Sequence, residues 1–204
     1  MTLRLMTAAL SLGLLTATSA WAAPTVGQPA PAFRALDTQG QPVQLSDFRG
    51  KHVVLEWVNP GCPFVRKHYS GNMQATQQSA TDRGVVWLTI SSTEPASADY
   101  KKPADLGAWM ASQKARATAT LMDDDGKVGR AYGARTTPHM YVIDPKGTLV
   151  YAGAIDSRPT ARVSDIEGAT NYVRQALDEL LAGKPVSTPV TQAYGCSIKY
   201  MNVG

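Results

Sequence analysis

Cysteine is scarce in this sequence, and long hydrophobic runs are absent after its first 22 residues. Only Cys62 and Cys196 occur among 204 residues, so the fold does not rest on a dense set of disulfides. No later segment is apolar enough to span a bilayer, which predicts no stable membrane insertion. Low-complexity tracts, internal repeats and Gly-rich phosphate loops are also lacking. The length suits one domain with its own hydrophobic core.

Positive charge is present but is not concentrated in one place. The formal net charge is +4 at pH 7, and the adjacent basic pairs are Arg66-Lys67 and Lys101-Lys102. A nucleic-acid-binding surface would need basic residues clustered on one face. We therefore expect no nucleic-acid partner.

The N-terminus has the pattern of a secretory signal peptide. Arg4 is its only charge, a short apolar segment follows, and Ala20-Trp21-Ala22 forms a small-x-small cleavage site. A membrane anchor is the alternative, but the run is short and is interrupted by Thr and Ser. We expect a signal peptide at 1–22, one domain at 23–185 and a C-terminal tail at 186–204. The protein is then exported, and is periplasmic if its source is a Gram-negative bacterium and secreted otherwise.

The most informative stretch is an apolar strand, a turn and the start of a helix. Residues 52–58 are nearly all apolar, as in a parallel strand covered on both faces. An Asn-Pro-Gly turn ends the strand, and Pro63 suits the first position of a helix. Cys62 then lies at the helix N-cap, where free N–H groups and the helix dipole favour the thiolate. Arg66 and Lys67 would add positive charge, so Cys62 is a candidate nucleophile.

Glu56 is the only charged residue inside that strand. If it is buried, its pKa is raised and it can relay a proton to or from the Cys62 sulfur. The alternative is a glutamate at the end of the strand that faces solvent. Further along the chain, Thr137-Pro138 precedes a second apolar strand, and a proline in that place is a candidate for a cis peptide bond.

Other patterns complete an alternation of strands and helices. They comprise a turn at 37–40 within a short hairpin, a strand at 85–90, a helix containing Leu106, Trp109 and Met110, a hairpin at 141–151, and a helix at 169–181. The first helix, from Cys62 to about residue 80, is expected to break near residues 70–72. This order predicts an α/β sandwich with a mixed sheet. Cys62 would follow the carboxyl end of its first buried strand, where such sheets place their sites.

Four motifs, in this order and spacing, carry a resemblance to a known family. They are Val-Gly-Gln-Pro-Ala-Pro-Ala-Phe at 26–33, Leu-Ser-Asp-Phe-Arg-Gly-Lys at 45–51, Asn-Pro-Gly-Cys-Pro-Phe-Val at 59–65 and Gly-Cys-Ser-Ile-Lys-Tyr at 195–200. The chain resembles the thioredoxin-like superfamily, and more closely its redoxin branch of alkyl hydroperoxide reductase and thiol-specific antioxidant relatives, within a peroxiredoxin-like group. The resemblance covers about residues 26–200. It implies a thioredoxin-like three-layer sandwich with a mixed central sheet.

The resemblance also assigns roles, with one departure. Cys62 matches the attacking cysteine of thioredoxins, Glu56 their buried acid, and Thr137-Pro138 the cis-proline that lies against the sulfurs. Pro63, Thr137 and Pro138 are therefore the predicted substrate-binding residues. Thioredoxins keep their second cysteine, and peroxiredoxins their peroxidatic cysteine, where this chain has Val65. Neither the thioredoxin mechanism nor the peroxiredoxin mechanism therefore applies to this chain in full.

The two cysteines allow several interpretations. In the favoured one, Cys62 attacks a substrate disulfide and Cys196 swings in from a mobile tail to resolve the intermediate. The thirteen residues from Gly183 can reach about 40 Å. A permanent structural disulfide and a Cys62 that acts alone are the alternatives. The favoured cycle implies protein or small-molecule thiol and disulfide substrates and a thiol electron donor, and it needs no cofactor.

Three further functions are weighed against thiol–disulfide exchange. A thiol-dependent peroxidase is the nearest, although the peroxidatic motif is missing. A copper-binding module would use Cys62, Cys196, His139 and Met140, which are soft or borderline ligands, but only His139 and Met140 are close in sequence. We predict no metal site. An interaction module without redox activity is the remaining alternative.

Overall fold

The computed structural model describes residues 24–201. The predicted signal peptide at 1–22 and the last three residues of the predicted tail lie outside the described residues. The strands are β1 (Arg34–Asp37), β2 (Pro42–Gln44), β3 (Val53–Trp57), β4 (Val86–Ser91), β5 (Ala119–Met122), β6 (Thr136–Thr137), β7 (His139–Ile143), β8 (Leu149–Gly153) and β9 (Cys196–Ser197). The helices are α1 (Pro63–His68), α2 (Asn72–Thr81), α3 (Pro103–Ser112), α4 (Lys127–Tyr132) and α5 (Tyr172–Leu181), with 3-10 turns at Leu45–Phe48 and Val163–Ile166.

Seven of these strands form one mixed sheet in the order β2-β1-β5-β4-β3-β7-β8. β3, β4 and β5 run parallel, and the strands outside them pair antiparallel. The predicted mixed sheet is therefore confirmed. β6 and β9 form a separate two-stranded pair beside it.

The sheet is covered on both faces, and β3 lies at its centre. Val54, on one face, belongs to a cluster with buried residues of α1, α2, α3 and α5. Val53, Leu55 and Trp57, on the other face, pack with α4 and the turn that begins at Leu45. Because successive side chains of a strand point to opposite faces, a strand buried on both sides needs a continuous apolar run. The three-layer sandwich is confirmed.

The element boundaries follow local signals. The first helix breaks as predicted, because Gly71 has a φ of +135° between α1 and α2. α5 begins at Tyr172, later than the expected residue 169, because the Asn171 side chain caps it by accepting the Arg174 N–H at 3.0 Å. β5, β6 and β9 were not predicted, because they are short and no turn motif marks them, unlike the equally short β1 and β2, which flank the turn at 37–40.

The described part of the tail packs along the domain instead of standing away from it. The Ala152 N–H donates to the Pro189 carbonyl at 3.0 Å, and the Thr191 N–H donates back to Ala152 at 3.1 Å. The tail thus covers the outer edge of β8. Gly153 makes this approach possible, because a Cβ there would overlap Thr191. Within residues 24–201 no helix is long and apolar enough to cross a membrane.

Candidate active site

Cys62 is the N-cap of α1, as the sequence predicts. The Asn59 side chain accepts the Gly61 N–H at 2.7 Å, and the Asn59 carbonyl accepts the Cys62 N–H at 3.0 Å. These bonds tighten the turn after β3. Pro63 then occupies the first turn of the helix and is exposed. The turn fixes the Cys62 sulfur next to an exposed proline, at the carboxyl end of the central strand.

Cys62 and Cys196 are paired as a disulfide, with their Cα atoms 5.9 Å apart. This separation is typical of protein disulfides. Cys62 is only 2% exposed, whereas Cys196 is half-buried. The tail cysteine therefore lies over the buried one, and in this state the approach to Cys62 is closed.

The Thr137–Pro138 peptide bond is cis and borders the disulfide. β6 pairs antiparallel with β9, so that Thr137 lies opposite Cys196. The Cys62 sulfur is 3.0 Å from the Thr137 carbonyl oxygen. In the reduced protein this oxygen can accept a hydrogen bond from the thiol. That bond favours the protonated form and opposes the effect of the helix dipole.

Glu56 is fully buried on the side of β3 that faces α1 and α2. Its carboxylate accepts hydrogen bonds from Trp87 Nε1 at 2.7 Å, the Tyr69 hydroxyl at 2.9 Å and Gln77 Nε2 at 3.0 Å. Loss of hydration raises the pKa of Glu56 to about 7, and these hydrogen bonds limit the rise. The alternative in which Glu56 faces solvent is wrong. With this pKa, the Glu56 carboxyl gains and loses its proton near neutral pH. Cys62 is not among the hydrogen-bond partners of Glu56.

Lys67 does not supply the free positive charge that its sequence position suggests. The residue is 1% exposed, and its Nζ lies 3.3 Å from Asp156 and 2.8 Å from the Arg158 carbonyl oxygen. The ammonium is thus compensated by a buried carboxylate from a distant loop. Arg66 donates from Nε to the Pro60 carbonyl at 2.8 Å. The positive charges of Lys67 and Arg66 therefore stabilise the Cys62 thiolate less than the sequence predicts.

Tyr194, two residues before Cys196, is a site residue that the sequence analysis missed. Its hydroxyl donates to Asp156 and lies 3.1 Å from His68 Nε2. Its ring meets Phe64 edge to face, with ring centroids 5.8 Å apart. Burial lowers the pKa of His68 to about 4, so that this imidazole is neutral at pH 7. Tyr194 therefore holds the tail against α1 through a buried polar pocket.

The orientation of these hydrogen bonds follows from the neutral imidazole. The Asn72 amide lies 2.8 Å from His68 Nδ1 and donates to it, which leaves the ring proton on Nε2. His68 then donates to the Tyr194 oxygen, and Tyr194 donates to Asp156. A tyrosine hydroxyl satisfies both neighbours at once. The sequence does contain one signal for this role, which is the aromatic residue directly before the Gly-Cys of the tail.

The rest of the tail is fixed beyond the disulfide. The Ile198 N–H donates to the Arg135 carbonyl at 3.0 Å, and the Tyr200 hydroxyl donates to the Ala134 carbonyl at 2.8 Å. The Arg130 guanidinium lies 4.9 Å from the centre of the Tyr200 ring. Contacts on both sides of Cys196 therefore set its position.

The residues weighed as copper ligands do not form a set. The two cysteine sulfurs are bonded to each other, and Met140 is fully buried in the core. Across residues 24–201, no three His, Cys, Asp or Glu side chains come together in an arrangement suited to a metal ion. Val65, at the position of the peroxidatic cysteine, is buried in the same core as Met140.

Comparison with known proteins gives a family and several structural neighbours. A model of the AhpC/TSA family matches residues 26–152. No curated protein matches the chain. An uncharacterised conserved protein from Geobacillus kaustophilus is 27% identical with a TM-score of 0.76, and the match covers 88% of this chain and 94% of that one. A hypothetical protein from Sinorhizobium meliloti 1021 is 25% identical with a TM-score of 0.75, covering 89% and 98%.

A third similar structure is from a protein whose name states an enzymatic activity. It is the thioredoxin domain of a thiol-disulfide oxidoreductase from Bacteroides vulgatus, which is 26% identical with a TM-score of 0.52. The match covers 71% of this chain and 97% of that domain. The thioredoxin-like fold expected from the sequence is thereby confirmed.

Proposed function

The chain belongs to the AhpC/TSA family and is an oxidoreductase, and we propose that it exchanges thiols and disulfides with Cys62 as nucleophile and Cys196 as resolving thiol. One observation carries this proposal. The only two cysteines of the sequence, 134 residues apart, are paired at the N-cap of α1 beside a cis-proline. A site built from an attacking and a resolving thiol requires such a pair.

The proposed cycle is balanced in atoms and electrons. In the reduced protein, the Cys62 thiolate attacks one sulfur of a substrate disulfide, and the other substrate sulfur leaves as a thiolate. The Cys196 thiolate then attacks the Cys62 sulfur of the mixed disulfide and releases the second substrate thiolate. The protein ends as the Cys62–Cys196 disulfide, two electrons poorer. An external thiol donor returns these electrons, and the potentials of both partners set the direction.

The remaining site residues have supporting roles in this proposal. Thr137 and Pro138 form the platform for the substrate backbone, and Pro63 borders the Cys62 sulfur. Glu56 serves as the proton relay, supported by its pKa of about 7. Because no hydrogen bond joins Glu56 to Cys62, the relay requires an intervening group when the site opens. Replacing Glu56 with Gln should slow exchange at Cys62 and change its pH profile, while Glu167→Gln, at an exposed carboxyl, should change neither.

A thiol-dependent peroxidase is the second candidate, and the family match favours it. Cys62 would attack a peroxide to give a sulfenic acid and an alcohol or water. Cys196 would then condense with the sulfenic acid, releasing water and forming the same disulfide. The missing peroxidatic motif weighs against this activity, because the equivalent position is the buried Val65.

The test combines a redox titration with two activity assays. Purified protein is equilibrated in glutathione buffers, and its thiols are counted by alkylation and mass spectrometry. A reversible bridge at about −250 to −120 mV supports the oxidoreductase, whereas resistance below about −300 mV indicates a structural disulfide and overturns the proposal. Insulin reduction and peroxide consumption then separate the two candidates. Cys62→Ser should abolish activity, and Cys196→Ser should trap the mixed disulfide.

Export is a separate part of the proposal and rests on the sequence of residues 1–22. A cleaved signal peptide would deliver the protein to an oxidising compartment, where disulfides form and persist. The N-terminal sequence of protein purified from its natural host tests this. An N-terminus at Ala23 supports export, and an intact Met1 contradicts it.

A further inference from the structure

The tail near Cys196 occupies a groove that a substrate must also enter. Cys62 is 2% exposed because the tail covers it. To form a mixed disulfide with Cys62, a substrate sulfur must come within about 2 Å of the Cys62 sulfur, which is where Cys196 now lies. The tail therefore has to leave before the substrate binds, and the substrate segment takes its place.

The groove that the tail leaves has three features, and each places a different requirement on the segment that binds there. Its floor is the β6 edge, where Thr136 and Thr137 pair antiparallel with the tail backbone at Cys196 and Ser197. An extended peptide can form the same backbone pairing, because such bonds do not depend on side chains. This feature selects an extended conformation but no particular sequence.

The second feature is a close approach at the residue before the cysteine. Gly195 has a φ of +136°, and a Cβ at this position would overlap the Thr137 carbonyl oxygen. A larger residue would push the strand away from β6. This point of the groove selects glycine immediately before the reacting cysteine.

The third feature is the polar pocket beside α1, formed by Phe64, Lys67, His68 and Asp156. When Tyr194 leaves, the Asp156 carboxylate loses a donor and His68 loses an acceptor. A phenol restores both contacts and also the edge-to-face contact with Phe64. A plain phenyl ring restores only the ring contact. The pocket therefore selects tyrosine two positions before the cysteine.

From these three features we propose that the groove binds extended protein segments of sequence Tyr-Gly-Cys, and that the tail is an internal copy of the substrate. The inference rests on the proposed thiol–disulfide exchange and names its substrate class. In each turnover the substrate cysteine occupies the place of Cys196 in the mixed disulfide with Cys62. The returning tail then displaces it, as Cys196 attacks the Cys62 sulfur and the substrate cysteine leaves as a thiolate.

The test uses the reduced full-length protein and varies the peptide, so that no protein variant needs to fold. The parent peptide has the sequence of residues 192–198, Gln-Ala-Tyr-Gly-Cys-Ser-Ile, and is supplied as its symmetric disulfide dimer. Two variants replace its tyrosine with phenylalanine or alanine, and one replaces its glycine with alanine. A matched control exchanges the alanine and the tyrosine, which keeps the composition but moves the phenol by one position. Chromatography measures the rate of peptide thiol release.

We expect the parent dimer to react fastest. The alanine-for-tyrosine variant and the shifted control should react about tenfold more slowly, because each loses the hydroxyl contacts with Asp156 and His68 and also the ring contact with Phe64. The phenylalanine variant should react at a rate between that of the parent and that of the alanine-for-tyrosine variant. The alanine-for-glycine variant should also react slowly. Equal rates for all five dimers would overturn the assignment of the groove.

A small aromatic disulfide, 5,5′-dithiobis(2-nitrobenzoate), separates this result from failure of the proposed function. It has no peptide backbone and requires none of the three features. If it converts the reduced protein to the Cys62–Cys196 disulfide while the five dimers react equally, the exchange activity stands and the Tyr-Gly-Cys preference falls. If it does not oxidise the cysteine pair, both proposals are overturned.

Discussion

At the scale of single residues, burial decides which groups near the cysteines carry charge. Glu56 and Lys67 are both almost fully buried, but their surroundings differ. Glu56 has no cation beside it, so burial raises its pKa to about 7, and its neutral hydrogen-bond donors only limit this rise. Lys67 faces the Asp156 carboxylate and forms an ion pair. A buried charge persists where a partner of opposite sign is near, and a buried carboxyl without one tends to hold its proton.

The raised pKa of Glu56 predicts a pH dependence of stability. The folded protein holds this proton up to about pH 7, whereas the unfolded chain releases it near pH 4.5. The contribution of Glu56 is therefore complete below about pH 4.5 and is lost as the pH rises through 7. We expect the free energy of unfolding of the wild type, relative to Glu56→Gln, to fall by about 3 kcal/mol over this range.

Urea denaturation at several pH values from 4.5 to 8 measures this difference. Comparison with the variant is needed because His68 and His139, whose pKa values are lowered to about 4, give the opposite slope below pH 6.5. Glu167→Gln is the matched control at an exposed carboxyl and should parallel the wild type. An identical pH dependence of wild type and Glu56→Gln would show that Glu56 is not the titrating group.

Tyr194→Phe should loosen the tail without removing its ring contact. The variant loses the hydroxyl that links His68 to Asp156, which is expected to destabilise the oxidised protein by about 1–3 kcal/mol. The disulfide should then be reduced faster by dithiothreitol, because the tail opens more often. Stopped-flow reduction and urea denaturation measure the two effects.

Tyr100→Phe is the control for that prediction. It removes another tyrosine–aspartate hydrogen bond, 2.9 Å to the partly buried Asp124, that involves neither cysteine nor the tail. This control should leave the reduction rate unchanged. Equal acceleration in both variants would mean that general loss of stability, and not release of the tail, governs access to the disulfide.

At the scale of elements, the site lies where α1 contacts β6 and β9. α1 carries Cys62, β9 carries Cys196, and β6 ends at the cis peptide bond. The β6–β9 pair is only two residues long on each side. Such a short pair contributes little by itself, so the contacts of Tyr194 and Tyr200 on either side are needed to hold β9 in register.

Gly195→Ala tests the fit of β9 against β6. The new Cβ would overlap the Thr137 carbonyl oxygen, and the backbone there has a φ of +136°. We expect the tail to shift and the disulfide to become easier to reduce. The expected change in reduction potential is at least about 30 mV, which corresponds to a tenfold change in the equilibrium constant.

Gly40→Ala is the matched control, since Gly40 also has a positive φ, +79°, but its Cβ would meet nothing within 4 Å. It should lose stability through backbone strain alone and keep the wild-type potential. If Gly195→Ala also keeps the wild-type potential, the contact with Thr137 does not constrain the disulfide.

At the scale of the whole molecule, the disulfide joins two residues that are far apart in the sequence. It closes a loop of 134 residues, from the first helix to the tail. In the chain-entropy description, a loop of this length stabilises the folded state by about 5 kcal/mol. An oxidoreductase that cycles this bond would therefore alternate between a more stable oxidised form and a less stable reduced form.

Reduction should lower the free energy of unfolding by up to about 5 kcal/mol. Urea denaturation of the wild type with and without a phosphine reductant measures the change. The double variant Cys62→Ser/Cys196→Ser should show the lower value in both conditions. If reduction leaves the stability of the wild type unaltered, the loop-closure contribution is absent.

The local sequence determined a large part of the site. The apolar run of β3, the Asn-Pro-Gly turn and Pro63 were sufficient to place Cys62 at a helix N-cap, because these signals act between neighbours in the chain. The order of strands and helices gave the mixed α/β sandwich. The motifs at 26–33, 45–51, 59–65 and 195–200 indicated the family. Each of these inferences depends on residues that are close in sequence.

Only the tertiary structure decided what those residues contact. The burial of Glu56 depends on α1 and α2 covering β3. The charge of Lys67 depends on Asp156, 89 residues away, and the place of Cys196 depends on a tail that returns across 134 residues. Chain neighbours carry no signal for such contacts, because they arise from the packing of whole elements.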